Sequence, residues 1–382
     1  MKDHAALKRL ALWFRHETLP LWAGRGYDHG RGGFFEALNF NGDPVAEAPR
    51  RVRVQARQIY VFASAARLGW NDEAEGLARA GFDVFLARAC PEAGARGCVH
   101  VLTAAGEIED ARRDLYDQAF ALLACAAVWR AFGDARALDL AGRTTAFLDR
   151  ELAAPGGGCL EDDRGTRPRR QNPHMHLFEA FLALAAATGE ADWARRAGAV
   201  FALFKRRFFD HEEGIVREFF TDDLGGFDAE QGDVIEPGHM MEWVWLLDKY
   251  RAGVGADAPE IEAALFANAV RLGRDPQSGF LVDRLRLGES AAGRTRRLWP
   301  QTEYLKACLA RGRAGDAGAA ARAEDIASAL FRSYLGQKTP GLWCDQYDGA
   351  GQAIARDAPA SILYHLFEAA REAELFIAGE RE

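Results

Sequence analysis

Polar residues recur at one point of a repeated apolar segment, and several of them are acid/base groups. They stand 19–25 residues after the first glycine of a short segment that occurs six times, and they are Arg57, Asp117, His176, His239 (with Glu242 three residues later), Glu303 and His365. Because burying an ionisable group without a partner is costly, folding alone does not explain this pattern. Histidine titrates near neutrality and can both take and return a proton. The pattern therefore predicts a catalytic cluster that moves protons next to a carbonyl group.

A metal site is one alternative for the same residue types. His176 and Glu179 lie three residues apart, as do His239 and Glu242, so each pair shares one helical face. Di-iron helical bundles use the reverse order, Glu-x-x-His, together with two further glutamates. We therefore expect no bound metal and no other cofactor.

Hydrolysis of a glycosidic bond is a second alternative. Glycosidases also use all-helical barrels, but they need two opposed carboxylates. Glu242 and Glu303 could supply them, as could Asp117. The cluster holds more histidine than that chemistry requires, which favours proton transfer beside a carbonyl.

The six glycine-led segments define an internal repeat. Each has alternating apolar and polar residues followed by a turn, which is typical of a short strand or hairpin. Their first glycines are 65, 60, 57, 65 and 62 residues apart, at Gly32, Gly97, Gly157, Gly214, Gly279 and Gly341. Six units of nearly constant length predict one structural unit used six times.

The sequence between the segments predicts two helices per unit. Gly followed by Asn or Asp, as at Gly69, Gly133 and Gly189, ends one helix and starts the next. One helix of each pair is almost entirely apolar and must be buried. We expect an all-α (α/α)6 barrel of twelve helices with short β-hairpins between units, forming a single domain over 1–382. The competing open solenoid would need polar capping repeats at its ends.

Composition restricts the partners and the compartment. The 382 residues carry a formal net charge of -8, which argues against nucleic acid or an anionic membrane as the main partner. The start, MKDHAALKRLALWFRHE, lacks an apolar signal-peptide core, and no stretch reaches the length of a membrane span. The six scattered cysteines are expected to be reduced thiols. These features predict a soluble, cytoplasmic protein.

Five segments resemble the characteristic blocks of the N-acylglucosamine 2-epimerase superfamily. They occur in the same order over nearly the whole chain: RVRVQARQIYVFA, NPHMHLFEA, PGHMMEWVWLL, WPQTEYLKA and PASILYHLFEA. The resemblance implies an (α/α)6 barrel, no metal, and a reaction through a cis-enediolate of an opened sugar.

The resemblance also implies roles for individual residues. Arg57 resembles the active-site arginine of the family, and His239 resembles its catalytic histidine beside Glu242. The catalytic candidates are thus His239, His365 and Arg57. The substrate-binding candidates are Asn172, His176, Glu242, Glu303, Asp117 and Trp299.

The last block separates two branches of the family. Epimerases of acylglucosamine or cellobiose carry a histidine a few residues earlier, where this chain has Pro359 to Ser361. His365 within L-Y-H-L instead resembles the mannose isomerase branch. The resemblance therefore implies aldose–ketose isomerisation, most simply of mannose to fructose, with 2-epimerisation as the alternative.

The substrate and the partners are less closely defined by the sequence. A free hexose, a hexose phosphate and a sulfonated hexose all fit, and we expect a free sugar. Arg164, Arg167, Arg169 and Arg170 could meet an anionic tail, although such a run is more often a solvated loop. A monomer or homodimer is expected. A non-catalytic ring that binds peptides is a further alternative, which the polar cluster disfavours.

Overall fold

A computed structural model describes residues 4–91, 96–255 and 257–381. Within these ranges the chain forms twelve helices, four of which contain a π-helical turn. They are α1 (Ala5–Trp13 and Leu19–Arg25, joined by Phe14–Thr18), α2 (Val52–Leu68), α3 (Ala74–Val84, continued by Phe85–Ala89), α4 (Leu115–Phe132), α5 (Ala135–Phe147, continued by Leu148–Leu152), α6 (Asn172–Thr188), α7 (Ala191–Leu203, continued by Phe204–Phe208), α8 (Pro237–Val254), α9 (Pro259–Gly273), α10 (Trp299–Arg313), α11 (Ala317–Ser333) and α12 (Ser361–Ala378).

The even-numbered helices form a closed inner ring. Each packs against the next, and α12 packs against α2, so the ring has no free end. The odd-numbered helices lie outside, and α1 covers α12, so the two ends of the chain complete one helix pair. The predicted (α/α)6 barrel is confirmed, and the open solenoid is wrong. The single domain predicted over 1–382 stays a prediction, and residues 1–3 and 382 lie outside the described ranges.

The helices end at the glycines that the sequence predicted. Gly69, Gly133 and Gly189 adopt φ of 66°, 63° and 72°, the left-handed conformation that ends a helix and favours glycine. Asp134 then caps α5 by accepting a hydrogen bond from the backbone of Arg136. The breaks expected between the inner and outer helices are therefore confirmed.

Short strands lie between the helices at one end of the barrel. They are β1 (Ala37–Leu38), β2 (Arg50–Arg51), β3 (Val101–Leu102), β4 (Ile108–Asp110), β5 (Arg169–Arg170), β6 (Phe209–Asp210), β7 (Ile215–Val216), β8 (Phe219–Phe220), β9 (Val234–Ile235), β10 (Leu285–Arg286), β11 (Arg296–Arg297), β12 (Gln346–Tyr347) and β13 (Ala358–Pro359). All their pairings are antiparallel. Five ladders join neighbouring units, namely β2–β3, β5–β8, β9–β10, β11–β12 and β13–β1. The pairs β3–β4 and β6–β7 are local hairpins, and isolated antiparallel bridges close further tight turns, as between Leu38 and Pro44, Phe220 and Phe227, and Tyr347 and Ala353. The described chain therefore has the short hairpins that we expected, together with ladders that join neighbouring units.

A side-chain clamp fixes each of three inner helices to its glycine-led segment. In the second unit the Cys98 N–H donates to Gln118 Oε1 at 2.7 Å, and Gln118 Nε2 donates to the Cys98 carbonyl at 2.8 Å. Gln55 and Gln301 make the same pair of bonds in the first and fifth units. A Cβ at Gly97 would lie 2.5 Å from Gln118 Oε1, so the clamp requires glycine there. These bonds set the position at which an inner helix starts.

The expectation of six free thiols is wrong for two cysteines. Cys90 and Cys98 form a disulfide, with their Cα atoms 4.1 Å apart. The end of α3 brings Cys90 beside the second glycine-led segment, a contact that spacing along the chain does not reveal. The remaining four cysteines are free thiols. Among the described helices, none is both long and apolar enough to cross a membrane.

Candidate active site

The N-terminal ends of the inner helices surround a cavity of about 340 Å³, within the range of small-molecule sites. Seven of the nine predicted site residues line it: Arg57, Asn172, His176, His239, Glu242, Trp299 and His365. A cavity of about 380 Å³ lies at the opposite mouth, and the described residues that line it include eight alanines, three leucines and six charged residues but no histidine. The acid/base residues therefore select the smaller cavity as the candidate active site.

Two predicted residues lie outside this cavity. Asp117 accepts hydrogen bonds from the backbone of Arg53 and from the His100 imidazole, so it faces the start of α2 and the residue before β3, and it does not line the ligand space. Successive helical residues point about 100° apart, and the preceding residue, Tyr116, lines the cavity instead. Glu303 lies behind His365 and has no exposed surface. The substrate contacts expected of Asp117 and Glu303 are therefore corrected to supporting contacts.

His239 is held by carboxylates alone. Its Nδ1 lies 3.0 Å from Glu218 Oε2 and 3.5 Å from Glu236 Oε2. Gln171 Nε2 donates to the same Glu218 oxygen at 3.0 Å. Burial lowers the pKa of His239, but the two carboxylates outweigh burial and raise this pKa to about 10. The imidazole is therefore a cation at neutral pH and can donate a proton.

His365 has a different counter-ion arrangement. Its Nδ1 lies 2.8 Å from Glu303 Oε1, while the other oxygen, Glu303 Oε2, lies 2.7 Å from Lys306 Nζ. Burial, together with the positive charges of Arg57 and Lys306, lowers the pKa of His365 well below its usual range. The imidazole is therefore neutral at pH 7 and can accept a proton.

The two imidazoles face one cavity across the Trp299 indole. The His239 and Trp299 ring centroids are 5.0 Å apart, and those of Trp299 and His365 are 5.8 Å apart. Because a carboxylate engages Nδ1 in both histidines, each keeps Nε2 for the ligand space. Pairs of titratable groups with opposed pKa shifts are typical of acid/base sites.

His176 and Arg57 meet at the hydroxyl of Tyr116. Arg57 Nη2 donates to that oxygen at 2.9 Å, and His176 Nε2 lies 3.4 Å from it. His176 Nδ1 lies 2.9 Å from Glu179 Oε2, and burial lowers the pKa of His176 to about 4. The Arg57 guanidinium also stacks 4.1 Å above the Phe120 ring. The result is a rigid cation with a neutral imidazole beside it.

Several buried polar atoms of the lining residues have no protein partner. The atoms without a hydrogen-bond partner are Arg57 Nε, Asn172 Oδ1, Glu218 Oε1, Glu242 Oε1 and Asp345 Oδ1. Burial and then the nearby Glu303 carboxylate raise the pKa of Glu242 well above its usual range, which favours its protonated form. Since buried polar groups are normally satisfied, this set fits a ligand with several hydroxyl groups.

The same side chains bear on metal binding. Two sets of candidate ligand atoms adjoin the cavity, each within 4.8 Å of one another: His176, Glu179 and Glu242, and Glu242, Glu303 and His365. In each set, however, a carboxylate already has a partner of its own. Lys306 supplies the cation at Glu303, and the Tyr364 hydroxyl donates to Glu179. The donor sets are therefore closed by internal partners, which does not favour a metal ion.

The arginine run of the third unit is mostly structural. Arg169 is buried and donates to the carbonyl groups of Cys159 and Asp222. Arg164 and Arg167 form exposed ion pairs with Asp110 and Asp222, respectively. Only Arg170 of the four lines the cavity.

The chain is an (α/α)6 barrel with histidine, glutamate and arginine side chains around a cavity at one mouth. The chain belongs to the N-acylglucosamine 2-epimerase (GlcNAc 2-epimerase) family, whose model matches residues 33–369. This finding confirms the resemblance seen in the five sequence blocks.

Relatives and solved structures agree with this family. The chain is 38% identical to a mannose-6-phosphate isomerase of Rhizobium meliloti (strain 1021), over 98% of each protein. It is 31% identical to a D-mannose isomerase of Thermobifida fusca, covering 76% of this chain and 75% of that protein. A D-mannose isomerase structure superposes with a TM-score of 0.85 at 20% identity, over 98% of this chain and 99% of the other. The cellobiose 2-epimerase of Bacillus thermoamylovorans B4167 gives 0.86 at 18% identity, over 96% and 98%. Both structural matches bear on the fold alone.

Proposed function

We propose that the protein is an aldose–ketose isomerase that interconverts mannose and fructose through a cis-enediolate. The observation that carries the proposal is the pair of histidines with opposed charge states, His239 and His365, facing one cavity across Trp299. A sugar isomerase needs an acid to open the ring and a base to move a carbon-bound proton. The two environments supply one of each at neutral pH.

The geometry supports separate roles for His239 and His365 in the reaction. Protonated His239 donates to the ring oxygen as the C1–O5 bond of the pyranose breaks, and the proton lost from the O1 hydroxyl restores the imidazolium, giving the open-chain aldose. Neutral His365 then removes the C2 proton, and the negative charge that develops on O1 and O2 is stabilised by Arg57. The same imidazole returns the proton to C1 as the O2 hydroxyl proton moves to O1, which gives the ketose. No redox partner is required, because the hydrogen lost at C2 is regained at C1.

The position of the last histidine supports isomerisation over epimerisation. His365 occupies the L-Y-H-L block of α12, and Pro359 to Ser361 stand where the epimerase branch carries its histidine. Two relatives with isomerase names match this chain at 31% identity or more, whereas a cellobiose 2-epimerase of Dictyoglomus turgidum (strain DSM 6724 / Z-1310) is 23% identical over 61% of it. The 2-epimerase alternative is therefore disfavoured.

A hexose phosphate is the second candidate substrate. The relative of Rhizobium meliloti carries such a substrate in its name, and five arginines besides Arg57 line the cavity: Arg51, Arg53, Arg170, Arg284 and Arg297. Four of these are already ion paired: Arg51 with Glu36, Arg53 with Asp117, Arg170 with Glu161, and Arg284 with Glu236. Because their charge is largely neutralised in place, the free sugar remains the proposed substrate.

A panel of free and phosphorylated aldoses distinguishes these candidates. We expect kcat/KM for mannose to exceed that for mannose 6-phosphate by at least about tenfold, a difference of roughly 1.4 kcal/mol. Products are identified by NMR, and inorganic phosphate is added as a competitor. Inhibition of mannose turnover by millimolar phosphate, or a strong preference for the phosphorylated sugar, would reverse the choice.

Activity is expected to survive exhaustive dialysis against EDTA. Lys306 already provides the positive charge beside Glu303, and Arg57 with the imidazoles stabilises the enediolate without a Lewis acid. Turnover is measured before and after dialysis, with each divalent ion added back separately. Complete loss that one ion restores would instead make the His–Glu clusters metal ligands. The expected cytoplasmic location and the monomer or homodimer stay predictions.

A further inference from the structure

Lys306 is a buried charge that the proposed mechanism does not use. Its side chain has no exposed surface, and its Nζ lies 2.7 Å from Glu303 Oε2 and 3.5 Å from the centroid of the Trp245 ring. Removing an ammonium group from water is expensive unless its partners are well placed. A lysine at this depth therefore needs an electrostatic reason.

Four glutamates from four inner helices act electrostatically on this ammonium group. They are Glu179 of α6, Glu242 of α8, Glu303 of α10 and Glu368 of α12, and together they raise the pKa of Lys306 despite its burial. Lys306 is therefore a permanent cation on the inner wall of the barrel. Its direct ion-pair partner in this set, Glu303, is also the partner of His365.

The two histidines of the cavity differ in the charges beside them, because His239 has a second carboxylate, Glu236, while the carboxylate partner of His365 carries a cation. His239 and His365 both place Nδ1 against a glutamate, at 3.0 Å from Glu218 and 2.8 Å from Glu303. No lysine or arginine in the described part of the chain forms an ion pair with Glu218, whereas Lys306 pairs with Glu303. A lone carboxylate favours the imidazolium, while a neutralised one serves mainly to orient the neutral ring.

We propose that Lys306 is a positioning residue: by neutralising Glu303, it keeps His365 uncharged and ready to accept the substrate proton. The inference rests on the proposed isomerase function. The charged and titratable groups that face His365 from the packed helices are Arg57 of α2, His176 and Glu179 of α6, Glu242 of α8, and Glu303 with Lys306 of α10. Of these, Glu303 alone contacts the imidazole as an ion-pair partner, so neutralising Glu303 has the largest effect on the charge state of His365.

The proposal predicts how kcat/KM depends on pH through the protonation of His365. A base works only when unprotonated, so kcat/KM falls as pH drops through the pKa of His365. This pKa lies well below the usual range in the native protein, which keeps the base competent at neutral and mildly acidic pH. Removing the Lys306 charge leaves Glu303 to attract a proton to the Glu303–His365 pair, and the acid limb of the profile moves up.

Charge-changing variants test this arrangement. Lys306→Met removes the cation, Glu303→Gln removes the anion, and the double variant removes both, so that the pair is neutral again. Lys249→Met is the matched control, because Lys249 also lies over Trp245, at 5.0 Å, but pairs with Glu372 near the opposite mouth. Two readouts are taken: the pH dependence of kcat/KM for mannose, and the NMR titration of the His365 imidazole in the ligand-free protein, assigned with His365→Asn.

We expect the acid limb and the His365 titration to move up by at least about one pH unit in Lys306→Met, a tenfold loss of unprotonated base below both values. The double variant should return to the native profile, and Lys249→Met should match the native protein. A purely structural role would lower kcat evenly, leave the limb in place and give no recovery in the double variant; that result overturns the proposal. If Lys306→Met does not fold, His365 should still titrate at least about one unit lower in Glu303→Gln than in the double variant, and equal values overturn the proposal.

The NMR titration also separates this inference from the function on which it rests. A His365 resonance that moves as expected in a protein without isomerase activity would refute the proposed function and leave the Lys306 arrangement intact. An active isomerase in which the His365 titration is the same with and without Lys306 would refute the role of Lys306 and leave the proposed function intact.

Discussion

His365→Asn is expected to stay folded and to lose about 10²–10⁴-fold in turnover, the usual contribution of a general acid/base group. Asparagine is of similar size and can still hydrogen-bond Glu303, but it cannot accept a proton from carbon. The effect should fall on kcat more than on KM, because the lost interaction belongs to the transition state. Steady-state kinetics with mannose, together with circular dichroism, measure the loss and the fold.

His174→Gln is the matched control for this variant. His174 lies only two residues before His176, but its Nε2 accepts the Cys159 N–H at 2.9 Å and its Nδ1 donates to the Arg170 carbonyl. Gln118 makes equivalent hydrogen bonds to the backbone of Cys98, so the turnover of His174→Gln should stay within a few-fold of the native value. Near-normal turnover of His365→Asn would instead remove the basis for the assigned base.

His239→Gln is expected to lose a similar factor of about 10²–10⁴ and also to change the alkaline side of the pH profile. The donating form of His239 is the imidazolium, which persists below its pKa of about 10 and is lost above it. The kcat/KM of the native protein should therefore fall as pH rises through about 10. In His239→Gln this limb should vanish, because no acid remains to titrate.

Glu218→Gln separates the charge of this carboxylate from its hydrogen bond. The amide oxygen still accepts from His239 Nδ1, but the negative charge that holds the proton is gone. We expect the alkaline limb to move to lower pH while the fold is retained. An unchanged limb would show that Glu218 does not set the charge of His239.

The sequence repeat predicted most of the fold. Glycine-led segments at nearly constant spacing, with apolar helices between them, predicted twelve helices in two rings. Pairing of the strands between units and the contact of α1 with α12 depend on how the ring closes, which local patterns do not encode. The Cys90–Cys98 bridge was missed because the scattered cysteines match no pairing pattern, and only the contact between the end of α3 and the next glycine-led segment brings these two together.

The site was predicted best where residue type and helix position agree. His239 and His365 reach the cavity because both lie in the first two turns of inner helices, but Asp117 is rotated away by one residue and Tyr116 lines the cavity in its place. Glu218 was overlooked because it lies just before a two-residue strand, in a segment treated as structural. Lys306 was overlooked because a lysine in a helix is normally solvated, and only the packed barrel shows its full burial.

The products formed from mannose in deuterated water test the central claim most directly. A single base that carries the proton from C2 to C1 on one face should give fructose as the main product, with part of the substrate C2 hydrogen retained at C1. Glucose should be at most a minor, slow product, because C2 epimerisation needs competent bases on both faces of the enediolate. A time course by proton and carbon NMR follows all three sugars together. Rapid interconversion of mannose and glucose without accumulating fructose would contradict the account and identify the protein as a 2-epimerase.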